Sequence, residues 1–339
     1  MNYTDCLTKT QAEIDERFSV NKSRTLYLSK IYREIGLLDR SDTVRDCGTY
    51  LKYSLGPLGP RLVDANFCKD RLCPMCNWRR SKKFFSQVSA CMDFLEKNGC
   101  RFLFLTLTSK NCSACDLSST LDWLSKSWTR FYRATVLKKF VLGAFRSLEL
   151  TYNHEKDTFH PHFHCILCVR SDYFENFYLE HAKWCEIWQK ALDVDYLPSV
   201  RIMAVKNGKY RVETVNGVKY YSRRKAQNEV SKYCVKPSDY LKGNPWDALV
   251  VSAFADVLKG RRLYGFIGSF LDARNALRLD GDEDGGLVHF NDKLRPDVEF
   301  AVVTFKWFDD SYHRFVKKTF IDPFDDSACV SKYDMGFVV

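Results

Sequence analysis

No apolar run in this chain approaches the ~20 residues that a membrane-spanning helix needs, so no such helix is expected. The first residues, Met1 to Arg17, are polar and lack the basic-then-apolar pattern of a secretory signal. With neither feature the expected location is the cytoplasm, where thiols stay reduced. Histidine is scarce, 7 in 339 residues, yet three of the seven fall between positions 160 and 164. Disorder is excluded by content, because 45% hydrophobic and 15% aromatic residues are ample for a core. The length suits two or three domains. A net charge of +10, from 52 Lys and Arg against 42 Asp and Glu, is compatible with a polyanionic partner.

In a reducing compartment the 14 cysteines read as metal ligands or buried apolar residues rather than disulfides. Cys68, Cys73 and Cys76 form a C-x4-C-x2-C arrangement, and Cys47 lies upstream. The two-residue gap in Cys73-Pro74-Met75-Cys76 lets both thiolates reach one tetrahedral ion, as in a zinc knuckle. Between Cys47 and Cys68 the run Gly56-Pro57-Leu58-Gly59-Pro60 suggests a turn-rich loop stapled at both ends. Arg79, Arg80, Lys82 and Lys83 follow and open a helix to about Lys97. Such a run suits either a phosphate backbone or a solvated helix face. A second C-x2-C pair, Cys112 and Cys115, has no partner pair nearby and is read as coincidental. Upstream, Leu26, Leu28, Ile31, Ile35 and Leu38 give the stripe of a packing helix.

Residues 101 to 109 alternate Leu103, Leu105 and Leu107 with Thr106 and Thr108, the period of a strand. Residues 145 to 152 alternate Leu148, Leu150 and Tyr152 with Ser147, Glu149 and Thr151. A turn at Asn153 to Thr158 leads into His160-Pro161-His162-Phe163-His164-Cys165-Ile166-Leu167. On a strand His160, His162 and His164 share one face, a chelating arrangement for a divalent metal. Each strand thus has an apolar and a more polar face, as expected of an antiparallel sheet with helices on one side and a ligand on the other. Glu149 is placed to add an oxygen to the metal. Helical patterns cover 117 to 139 and 171 to 192. Residues 199 to 221 read as a hairpin with turns at Asn207-Gly208 and Asn216-Gly217. A helix from Arg223 to Lys236, stopped by Pro237, would carry Glu229, Tyr233 and Lys236 on one face. Residues 241 to 279 read as mainly helical, Asp280 to Gly286 as an acidic linker, and Val298–Phe308 with Tyr312–Phe320 as a small terminal hairpin.

Taken together, these segments resemble the rolling-circle replication initiators of small plasmids, in the HUH endonuclease superfamily. The resemblance rests on Phe104-Leu105-Thr106-Leu107-Thr108, on His160-Pro161-His162-Phe163-His164 and on Glu229-x-x-Lys232-Tyr233-x-x-Lys236. It includes the cysteine segment Cys68 to Cys76 with Trp78-Arg79-Arg80, and Lys259 to Gly268 downstream. It implies that His162 and His164 bind a catalytic ion and that Tyr233 is the nucleophile. Glu229 would activate water in a second cleavage, and Lys236 completes the catalytic set. A third ligand is usual in the superfamily. Glu149 and His160 are the candidates, and Glu149 is favoured because magnesium and manganese prefer oxygen. Tyr240 is a competing tyrosine, out of register beyond Pro237.

The fold so implied is α+β: a central antiparallel sheet of the HUH endonuclease type with helices on one face, plus an N-terminal helical and zinc-binding region. The expected divisions are 1–100 (helical and zinc-binding), 101–240 (nicking and strand transfer), 241–279 (helical extension) and 280–339 (acidic linker and β tail). The function so implied is origin nicking by tyrosine attack, leaving a 5′-phosphotyrosine and a 3′-hydroxyl primer, with termination by a second cut and rejoining. The implied cofactors are magnesium or manganese at the catalytic site and a structural zinc on Cys47, Cys68, Cys73 and Cys76. The implied partners are origin DNA, a host helicase and DNA polymerase, with room for a homodimer and no membrane. The competing expectations are a transposase or relaxase with the same chemistry, and a zinc-stabilised DNA-binding regulator without catalysis.

Overall fold

The computed structural model describes residues 2–207, 212–215, 218–288 and 301–317. In chain order it begins with α1 (Tyr3–Glu13), a π-helical turn (Ile14–Phe18), α2 (Ser19–Glu34), α3 (Leu38–Asp46), β1 (Tyr50–Gly56), β2 (Gly59–Ala65) and α4 (Pro74–Lys97). β3 (Arg101–Thr108), α5 (Leu117–Tyr132), α6 (Thr135–Lys138), β4 (Val141–Asn153) and β5 (Thr158–Val169) follow. Next come α7 (Tyr173–Asn176), α8 (His181–Leu192), β6 (Val200–Lys206), β7 (Val212–Val215), β8 (Val218–Ser222) and α9 (Arg223–Val230). The chain continues through α10 (Pro237–Tyr240), α11 (Asp247–Val257), β9 (Tyr264–Gly268), α12 (Ser269–Ala276), β10 (Ala301–Phe308) and β11 (Ser311–Lys317). None of the described helices is long and apolar enough to cross a membrane. The chain separates into two units, one of residues 1–79, 243–251 and 286–339, the other of 80–242 and 252–285.

The first unit is built on a four-stranded sheet in the order β11-β10-β1-β2. The stretch expected as a stapled loop is therefore a hairpin. Leu51, Tyr53 and Leu55 alternate along β1 and are buried, which gives that strand an inner face. The turn is closed by Gly56 opposite Gly59, whose φ of 107° suits glycine. The terminal hairpin is not separate from this sheet: β10 pairs antiparallel with β1, Tyr53 lying opposite Val303. Edge-to-face packing joins Phe18 to Trp78 (4.7 Å) and Tyr53 to Phe305 (6.1 Å), so helix, hairpin and C-terminal strand share one core.

The second unit holds a seven-stranded sheet in the order β7-β8-β6-β3-β5-β4-β9. Its pairings are antiparallel except β6 with β8. The three strands expected around the histidines are adjacent, as β3-β5-β4. The 199–221 segment is three strands rather than a simple hairpin, because β8 returns parallel to β6. Its proposed turn residues Gly208, Asn216 and Gly217 lie outside the described residues, as do 298–300 and 318–320 of the terminal strands. Within 241–279 the sequence also hid β9, which closes the sheet on β4. Gly268 has φ 55°, and a Cβ there would lie 2.4 Å from the Leu142 carbonyl oxygen, so this approach requires glycine.

The face opposite the histidines is covered by α5 and α8, with Trp128 against Phe163 (6.0 Å) and Phe131 against Trp188 (5.6 Å). The histidine face is apolar at its other end, where Phe104, Phe145 and Ile166 lie, and α4 covers that part. Phe84 stacks on Tyr264 (3.9 Å) beside Phe145. α9 locks onto α4 through Arg223, which binds Asp93 and Glu96. Only the polar end of the face is left for chemistry.

Two charged segments differ from expectation. Of the basic run, Arg79, Arg80 and Lys83 are buried, at 5%, 1% and 0% exposure, and cannot line a DNA-binding surface. The acidic 280–286 segment is their counterpart rather than a free linker. Lys83 Nζ donates to Asp280 Oδ2 and to the carbonyls of Asp282 and Gly285, and Arg80 forks onto Asp284. The side chain of Asp280 accepts from Asp282 N, and that of Asp282 from Asp284 N. Asp280, Asp282, Asp284 and Gly285 have the spacing of positions 1, 3, 5 and 6 of an EF-hand loop, with an ammonium where that loop holds calcium. We therefore expect Lys83→Ala to destabilise the protein by roughly 2–4 kcal/mol in urea denaturation, since it leaves converging acceptors without a cation. Millimolar calcium should raise the melting temperature of that variant and leave the wild type unmoved. An equal response from both would show that Lys83 does not fill the loop.

Candidate active site

Register fixes the site before any side chain is placed. His162 lies opposite Glu149 on β4 and Thr108 on β3, and His164 lies opposite Ser147 and Thr106. Glu149, His162 and His164 thus occupy neighbouring positions on one face, buried at 4%, 8% and 8% exposure. Glu149 Oε2 is 2.7 Å from His164 Nε2 and 3.5 Å from His162 Nε2. Adjacent ligands of an octahedral ion with bonds of about 2.1 Å stand about 3 Å apart, so these atoms fit one small hard cation. The other ring nitrogens have acceptors for the tautomer that a bound cation would need. His162 Nδ1 faces the His160 carbonyl (3.2 Å), which can accept its proton once a cation takes the Nε2 lone pair. His164 Nδ1 meets the Thr106 hydroxyl (3.1 Å), which can accept in the same way.

Electrostatics favour ligand-ready states. Burial would raise the Glu149 carboxyl, but hydrogen bonds from His162, His164 and Lys236 outweigh it and hold the group well below the usual carboxylate range. Burial lowers His164, which keeps its imidazole neutral at pH 7 despite the pull of Glu149. The second carboxylate oxygen, Oε1, is 2.5 Å from Lys236 Nζ. His160 stands apart: its Nδ1 lies 2.8 Å from Asn111 Oδ1, and it is not among the three clustered ligands.

The segment carrying Glu229, Tyr233 and Lys236 is not one helix. α9 ends at Val230, where the Ser231 hydroxyl bonds back to the Gln227 carbonyl (2.6 Å). Lys236 is extended (φ −77°, ψ 135°), as a residue before proline must be. Glu229, Tyr233 and Lys236 therefore do not share a helical stripe. The intervening turn is pinned instead to the sheet, with Leu150 N bonded to the Cys234 carbonyl (2.7 Å) and the Tyr264 hydroxyl to the Lys232 carbonyl (2.9 Å). Glu229 bonds Lys232 (2.5 Å) and lies close enough to His164 and Lys236 for its charge to oppose the effect of burial on each. Tyr233 is half-buried in this turn. Tyr240 is fully buried beside Phe254, away from solvent.

The cysteines form a second site. Cys47 and Cys76, Cys68 and Cys76, and Cys73 and Cys47 are each 3.6 Å apart at sulfur. A tetrahedral ion with metal–sulfur bonds of about 2.3 Å has edges of about 3.8 Å, whereas a disulfide needs about 2.05 Å. Lys69, with φ 63°, turns the backbone so that Lys69 N and Asp70 N approach Cys76 and Cys68 sulfurs (3.2 and 3.4 Å). Burial opposes ionisation of Cys73, but donation from the other three thiols lowers it well below its usual value. Lys22, 0% exposed, donates to the Cys47 carbonyl (2.8 Å), a neighbour that no spacing rule reveals. Cys112 and Cys115 join no metal-competent cluster among the described residues.

Residues 59–314 match the family described as Replication protein. Similar proteins include Protein rep of Streptococcus pneumoniae serotype 2 (strain D39 / NCTC 7466), 36% identical over 295 residues, 84% of this chain and 87% of that protein. Protein rep of a Bacillus species is 37% identical over 265 residues, 75% of this chain and 86% of that protein. Protein rep of Lactiplantibacillus plantarum is 38% identical over 261 residues, 75% and 80% respectively. The chain belongs to the replication protein family. No solved structure matches it. Within this replication protein the matched region contains Cys68, Cys73, Cys76, Glu149, His162, His164 and the turn after α9, while Cys47 precedes it.

The geometry ranks the candidate ligands. Using manganese as the probe in titration calorimetry, Glu149→Ala and His162→Ala should each weaken binding by about 10- to 100-fold or more, and His160→Ala by much less. A larger loss from His160→Ala would move the third ligand to that residue.

Proposed function

We propose that this replication protein initiates plasmid rolling-circle replication in a reducing cytoplasm by nicking one strand of its origin. The observation that carries the reading is the Glu149–His162–His164 cluster at the polar end of the sheet face, tied through Lys236 to the turn that bears Tyr233. A magnesium or manganese ion held by Glu149 Oε2 and the two Nε2 atoms would draw charge from a scissile phosphate. Lys236 keeps the carboxylate ionised and oriented by holding its other oxygen. The Tyr233 hydroxyl attacks phosphorus, its proton leaves, and the strand's 3′ oxygen departs. The products are a 5′-phosphotyrosine and a 3′-hydroxyl that a host polymerase extends while a helicase opens the duplex. The bond energy stays in the phosphotyrosine, so rejoining requires no nucleotide cofactor. Glu229, beside His164, serves as general base for water in the terminating cut. The four thiolates hold a structural zinc.

Nicking of the protein's own supercoiled replicon, with recovery of a covalent adduct, tests this function. No nicking under magnesium or manganese, with sequence-specific DNA binding intact, would favour a non-catalytic regulator. Tyr233→Phe should abolish both nick and adduct, because it removes only the attacking oxygen. Glu229→Ala should still nick and form adduct, yet accumulate DNA longer than one unit. Loss of the first nick in Glu229→Ala would instead put that residue in the initial catalytic set.

Zinc measured in purified protein should be about one per chain. Cys73→Ser should lose it together with the near-ultraviolet signal of the aromatic core that Phe18, Tyr53 and Trp78 form. Full zinc retention by Cys73→Ser would remove that residue from the site.

A further inference from the structure

Arg201 on β6 lies on the histidine face of the sheet of the second unit. Arg223 is paired with Asp93 and Glu96, Arg261 with Asp122, Arg170 with Asp172 and Arg80 with Asp284. Arg201 is exposed, and among the described residues its guanidinium has no hydrogen bond or carboxylate partner. Its position is nevertheless fixed. The guanidinium lies over the Tyr221 ring (5.5 Å); Tyr221 is 2% exposed and packs on Phe104 (5.0 Å), and Phe104 stacks on His164 (5.8 Å). Register adds a second constraint. Arg201 lies opposite Thr106, and Thr106 opposite His164, so the three form one transverse row on one face. Two inter-strand steps put the Arg201 backbone roughly 10 Å from that of His164. The aromatic chain therefore aims five unpaired donors across the face that holds the metal ligands.

We infer that Arg201 is a positioning residue that grips a backbone phosphate of single-stranded DNA about one or two nucleotides from the phosphate held at the Glu149–His162–His164 cluster. The inference rests on the proposed nicking reading for the location of that phosphate, and on the sheet geometry alone for the contact. An arginine seated on an aromatic face keeps its fork free for bidentate phosphate binding, which a lysine does not reproduce.

The test uses the full-length protein carrying Tyr233→Phe, so that binding is read without cleavage. With oligothymidylate as the probe, Arg201→Gln should weaken binding about tenfold and flatten the slope of log K against log salt by about 0.7, one phosphate contact. Arg201→Lys should recover the slope but only part of the affinity. A single methylphosphonate is then walked along an oligonucleotide spanning the nick site. At one position near the nick it should weaken the Arg201-containing protein and leave Arg201→Gln unaffected. An unchanged salt slope, or additive losses at every methylphosphonate position, overturns the inference. A salt slope that responds to Arg201→Gln, together with no nicking by the protein that retains Tyr233, would overturn the catalytic reading and leave the phosphate contact standing.

Discussion

A carboxylate buried in a sheet has to be compensated, and the compensation of Glu149 holds this site together. Its two oxygens are divided. Oε2 faces the imidazoles of His162 and His164, and Oε1 takes the ammonium of Lys236. Taking either oxygen's partner away would leave a charge in a setting where burial alone disfavours ionisation. One side chain therefore couples the strand that presents the metal ligands to the turn that carries Tyr233. That coupling does not need a continuous helix. Pro237 forbids one, and the Cys234 carbonyl is used in a hydrogen bond to β4 instead. The nucleophile candidate is thus carried on a segment fixed on both sides by the sheet, which limits how far it can stray from the Glu149–His162–His164 cluster.

The sheet also acts as a ruler. Because side chains alternate with a period of two, Glu149, His162, His164, Thr106 and Arg201 reach the same face only in the observed register. The far end of that face is closed by Phe84, Phe145 and Tyr264, and the opposite face by Trp128 and Trp188. The polar end is covered by the turn after α9, which reaches Glu149 through Lys236.

Features set by local periodicity were legible in the sequence. Three strands around the histidines follow from alternation of Leu103 to Thr108, Ser147 to Tyr152 and His160 to Leu167. Spacing alone gathers Cys68, Cys73 and Cys76. What could not be read depends on pairing over long separations. Lys83 meets Asp280, and β1 meets β10, across most of the chain, so a basic run looked solvent-facing and a hairpin looked like a tail. The break after Val230 was missed for another reason. Arg223 to Lys236 has helical composition throughout, and only the backward bond of Ser231 and the extended residue before Pro237 end the helix early. β1 left a signal that was not used, the alternation of Leu51, Tyr53 and Leu55.

Three groups of electron-rich atoms among the described residues converge in a way that suits a cation, and each suits a different one. Sulfur atoms 3.6 Å apart cannot all ionise unaided, and their spacing fits a dication of tetrahedral preference. One carboxylate with two imidazoles is a smaller set of donors, which leaves positions on a bound ion for oxygens from outside. The 280–285 loop has acceptors arranged as if for calcium, but Lys83 and Arg80 enter it from α4. A covalently tethered ammonium cannot be chelated or exchanged, so α4, which covers the apolar end of the histidine face, is held whatever the metal supply. Of the three, the Glu149–His162–His164 set is thereby the one left for an exchangeable ion, which is the role the proposed nicking reading gives it.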